Sequence, residues 1–89
     1  MPYIKQEERN RFQPALDPLL EEVLNGSSLT PGDLNYLVTK LCHAYMQRKG
    51  LSYTHLSDVM ATLTNAAHEF YRRKVVPYEE QKREENGDV

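Results

Sequence analysis

The segment from Thr30 to Gly50 constrains this chain more than any other. Thr30, Pro31 and Asp33 read as a helix start. The hydroxyl caps, the proline sits where its missing N–H is not needed, and the acid lies near the positive end of the dipole. Leu34, Leu37, Val38, Leu41, Cys42, Tyr45 and Met46 then recur three and four residues apart, which predicts a helix over 31–49 with one apolar face. Arg48 and Lys49 suit its negative end. Gly50 supplies a left-handed stop, and Leu51 the apolar contact that commonly follows one. A helix with one apolar face takes most of its stability from what covers that face.

Two further stretches share the period. Leu16, Leu19, Leu20, Val23 and Leu24 predict a helix over about 15–25. It opens either near Pro14 or at Asp17-Pro18, as a cap followed by a first-turn proline, and it stops at Asn25-Gly26. Leu56, Val59, Met60, Leu63, Ala66, Ala67, Phe70 and Tyr71 predict a third over about 54–76, capped by Ser52 or Thr54. The short connection between the second and third predicts an antiparallel hairpin. In that register the third helix outruns the second by about a turn, and Val75 and Val76 call for a cover. Pro77 cannot donate a backbone hydrogen bond and crowds the preceding turn, so a kink or stop is expected at Val76. A Glu79–Arg83 pair is worth only a few tenths of a kcal/mol, too little to hold a lone helix there. The expected fold is therefore all-α: a compact three-helix bundle with a central antiparallel helix hairpin, an extended N-terminal segment and a C-terminal tail. Residues 1–78 form the single helical domain, and 79–89 a charged tail that frays unless a partner orders it.

At 89 residues the chain is near the lower end of what buries an independent core. Its net charge of −2 gives no global attraction to nucleic acid or to anionic lipid. The single cysteine, Cys42, excludes an internal disulfide and any multi-cysteine zinc site. No apolar run resembles a secretory leader or a membrane span, so a cytoplasmic protein with no membrane partner is expected.

Catalytic chemistry finds little support. Hairpin register sets His43 near Met60, His55 near Arg48 and His68 beside Asn35, so no two histidines converge. None has an acid four residues away, and neither a metal site nor a Cys-His nucleophile is formed. The paired glutamates 7-8, 21-22, 79-80 and 84-85 look solvated, and no glycine-rich phosphate loop is present. The expectation is no enzyme, no catalytic residue, no metal and no cofactor. "GLSYTHLSDVM" looks like the opening of a helix-turn-helix, but residues 61–65 contain no breaker, and nucleic acid is disfavoured as a partner. The local feature that stands out is charge. Residues 72–74 are three consecutive cations, while 79–89 carry five acids and two bases. Tyr71, Arg72, Arg73, Lys74 and Tyr78 are the candidate partner- or anion-binding residues, with the tyrosines as anchors and the arginines as forks. The plainer account makes the cations dipole-stabilising residues at a helix end that pair with the acidic tail.

The stretches "MPYIKQEERNRF", "LNYLVTKLCHAY", "KGLSY" and "EFYRRKVVPYEEQKREENGDV" resemble, in this order, a family of small phage- and prophage-associated proteins known only as a domain of unknown function. The resemblance covers nearly the whole chain. It implies a compact cytoplasmic helical protein of mobile-element type, and it carries no activity or site residues with it.

Apolar groups exceed what three short helices need: Tyr3, Phe12, Tyr53, Val75, Val76 and Tyr78. The expected function is a non-enzymatic protein-interaction module, self-associating because a two-fold interface needs only one patch, and acting on a host component. The alternative is an oligomeric binder of a small anion such as a nucleotide signal.

Overall fold

In the computed structural model, which describes residues 4–89, the chain is all-helical. Tyr3 lies outside those residues. Four helices follow in order: α1 (Gln6–Asn25), α2 (Pro31–Lys49), α3 (Tyr53–Phe70) and α4 (Val76–Asn86), with a π turn (Tyr71–Val75) between the last two. The chain divides into two compact units, one ending at Gly50 and the other running Leu51–Val89.

In the first unit, α2 forms as its residues dictate. The Thr30 hydroxyl accepts from the Asp33 N–H at 3.2 Å, and the Thr30 N–H donates to the Asp33 carboxylate at 2.8 Å. This reciprocal box satisfies two donors that a helix start leaves open. The other end closes at Gly50, whose N–H reaches the Met46 carbonyl at 2.7 Å with φ +92°, a region costly to any residue with a Cβ. Leu51 does not make the expected apolar contact, for it is 84% exposed.

Helix α1 departs from expectation. It begins at Gln6 rather than near residue 15, so the N-terminal segment is helical from there, with Pro14 and Pro18 inside it. Neither proline marks a boundary. The added turns are held on the surface: Gln6 donates to Asn10 at 3.0 Å and Gln13 to Asp17 at 2.6 Å, each pair four residues apart and so adjacent on one face. Starting at Gln6 also brings Phe12 into register with Leu16, Leu19 and Val23. The helix ends at Gly26, where a Cβ would collide with the Glu22 carbonyl oxygen. Helices α1 and α2 make no helix–helix contact along their lengths.

The second unit is one long helical run. Ser52 caps α3, its hydroxyl accepting from the His55 N–H at 3.1 Å, and α3 continues unbroken through residues 61–65. The expected stop at Val76 does not occur. Instead the backbone widens over Tyr71–Val75, and the Val76 N–H bonds to the Tyr71 carbonyl five residues back. Pro77 then falls in the first turn of α4, where a proline lacks nothing the helix requires. Residues 79–86 are accordingly helical rather than frayed. Gly87, at φ +85°, closes the run with an N–H to the Arg83 carbonyl at 2.8 Å.

No described residue is buried. Leu37, Cys42, Met46, Val59, Leu63, Val75 and Val76 reach half-burial, while Leu34, Leu41, Met60, Phe70 and Tyr78 remain at least 60% exposed. The helical period is present in full, and the apolar face it creates is still open.

Candidate functional site

Four of the five candidate residues fall on one structural feature. Tyr71, Arg72, Arg73 and Lys74, with Val75, are the π turn itself, and Tyr78 lies in the first turn of α4. Single π turns inside helices occur frequently at functional sites. Helix continues past the cations to Asn86, so they do not sit at a helix C-terminus.

The cations differ in their surroundings. The Glu69 carboxylate accepts from Arg72 at 2.8 Å and also from Arg73. Glu69 is mostly shielded, with its side chain 18% exposed, whereas the two arginines are 65% and 57% exposed. One acid thus offsets part of two charges, three and four residues along the same helix. Lys74 makes no ion pair among the described residues.

Tyr71 and Glu79 form a contact that sequence reasoning missed. The Glu79 carboxylate accepts a hydrogen bond from the Tyr71 hydroxyl, and its charge opposes phenolate formation, so the Tyr71 pKa is raised above the ordinary tyrosine value. In a continuous α-helix, residues eight apart are rotated by about 80° from each other. The π turn takes up one extra residue, so the pair behaves like i, i+7 and lies within about 20° of one line. The expected Glu79–Arg83 ion pair does not form; Lys82 instead reaches Glu85 at 3.2 Å. Lys82 also stands 5.5 Å from the centre of the Tyr78 ring, a cation–π arrangement.

A hollow of about 670 Å³ follows this face, lined by Tyr71, Val76, Tyr78, Glu79, Lys82 and Arg83 among others. Its size is that of a ligand site, but its walls come from one helical run and combine acids with bases. The first unit holds a smaller groove of about 280 Å³, lined by the last turns of α1, by Ser27, Ser28 and Leu29, and by the start of α2. No group of three or more metal-ligating side chains exists among the described residues, and no helix among them is long and apolar enough to cross a membrane.

These features define a class before a family: an all-helical chain whose apolar faces are open and which carries three consecutive cations on a π turn. The chain belongs to the family described as Domain of unknown function (DUF6899), whose model matches residues 1–89. No curated protein matches the chain, and no solved structure does.

Proposed function

We propose that this protein is a non-enzymatic interaction module that self-associates, and that association completes its core. The observation that carries this reading is burial: a helical-period apolar face runs along α1, α2 and α3, and no described residue on it is buried. Most helical stability in proteins comes from covering an amphipathic face rather than from propensity. A second copy is a partner always present in equal amount, and a two-fold interface needs one self-complementary patch. In the assembled form the helices complete a bundle, with α2 and α3 as its antiparallel hairpin. A cytoplasmic location, a mobile-element setting and action on a host component also belong to this proposal. They rest on the resemblance of the four stretches quoted above to small phage- and prophage-associated proteins.

Native mass spectrometry of protein purified from cells tests the reading. It should give a homo-oligomer, with or without a heavier bound protein. A bare monomer across the working concentration range would contradict it.

The position of the cations on the π turn favours a second reading, in which the oligomer holds a small anion such as a nucleotide. Arginine forks suit phosphate oxygens. In that case the oligomer carries extra mass near that of a nucleotide, and the double variant Arg72→Glu/Arg73→Glu releases it while subunit number is unchanged.

A further inference from the structure

We propose that the groove between α1 and α2 is the docking site for the basic π turn of a second copy of this chain. The inference rests on the self-association reading and specifies its contact. The groove is lined by Leu19, Val23, Leu29 and Leu37 together with the acids Glu22 and Asp33. At about 280 Å³ it lies at the lower end of ligand-sized hollows, with room for an anchoring side chain.

The electrostatics around it are one-sided. Between Arg11 and Lys40 there is no lysine or arginine, while Asp17, Glu21, Glu22 and Asp33 are all acidic. The last turn of α1 contains no base. Glu21 and Glu22 therefore approach the negative end of a helix dipole without local compensation, an arrangement that cations from outside relieve.

The complementary segment is Arg72 to Val76. It presents three cations followed by two half-buried valines, and Lys74 makes no ion pair among the described residues. Cations meeting the acids and valines meeting the apolar lining match the two chemistries of the groove in one short segment. Charge complementarity of this kind sets register and partner choice. Because each copy has both a groove and a turn, two reciprocal contacts close a two-fold dimer, whereas unreciprocated contacts would build an open chain.

The test is a charge swap in trans on the full chain, using Glu22→Lys and Lys74→Glu. Each variant alone should self-associate roughly tenfold or more weakly than the parent, through like-charge juxtaposition. Glu22→Lys should keep its helix content by circular dichroism, since a cation there suits the α1 C-terminus. Mixed one to one, the two should form a heterodimer of near-parental affinity, because one contact is the swapped pair and the other is native. Parental self-association should also weaken with added salt. Variants that associate as tightly as the parent would overturn this contact and leave self-association standing. Weakened variants that mixing does not restore would overturn it too, since they place the charge effect within one chain. A parent that is monomeric throughout would overturn both the contact and the reading beneath it.

Discussion

Single residues decide the ends of α2 and the chemistry of the π turn. Thr30 serves as both donor and acceptor in its box with Asp33, so Thr30→Ala should lower stability by about 1 kcal/mol, measured by urea unfolding at fixed protein concentration. Tyr71 offers a pH-dependent test. Its pKa is raised in the folded state by Glu79, so its contribution is present in full below the ordinary tyrosine pKa. That contribution is lost as pH rises through the folded value. An alkaline absorbance titration should show one of the six tyrosines ionising later than the rest, and Glu79→Gln should bring it back to them. An unchanged late tyrosine in that variant would reject the contact. At this scale much of the site was legible. Three consecutive cations beside Tyr71 are plain in the sequence, and so is the Thr30 cap. The Tyr71–Glu79 pair was not, because eight residues is no helical spacing until a π turn inserts one.

At the scale of elements, prolines explain both the successes and the misses. Pro31 marks the start of α2 because a capping hydroxyl precedes it and the missing N–H falls in the first turn. Pro18 offers the same local pattern after Asp17, yet it lies inside α1; surface hydrogen bonds and the Phe12–Leu16–Leu19–Val23 face carry the helix through it. Pro77 reads as a stop because an interior proline deprives one carbonyl of its donor. The chain instead changes hydrogen-bond register just before it. Such a shift leaves no side-chain signature, which is why helix beyond Val76 could not be read from residue types. Pro18→Ala follows from this account. An interior proline opposes helix by up to about 3 kcal/mol, so the substitution should raise thermal stability and helix content. If Pro18 instead occupied a first-turn position, as the Asp17-Pro18 pattern suggests, the change would be neutral or slightly unfavourable.

For the whole molecule, the question is what replaces a core. The apolar stripes were legible from their spacing, and the helices that display them are present. What covers them is a property of surfaces rather than of periodicity, so no reading of spacing along one chain supplies it. If a second copy provides the cover, folding and assembly are one equilibrium, and stability depends on protein concentration. Truncation after Val75 should then weaken assembly as well as remove α4, because Tyr78 belongs to the exposed apolar surface and Val76 is only half-buried; sedimentation velocity at matched concentrations reads this directly.

The most direct measurement is a dilution series followed by circular dichroism and sedimentation velocity together. Coupled folding and association predicts that helix content and subunit number fall in step as the chain is diluted, with a melting temperature that rises with concentration. A monomer that keeps its full helix content and a fixed melting temperature at every dilution would contradict the account.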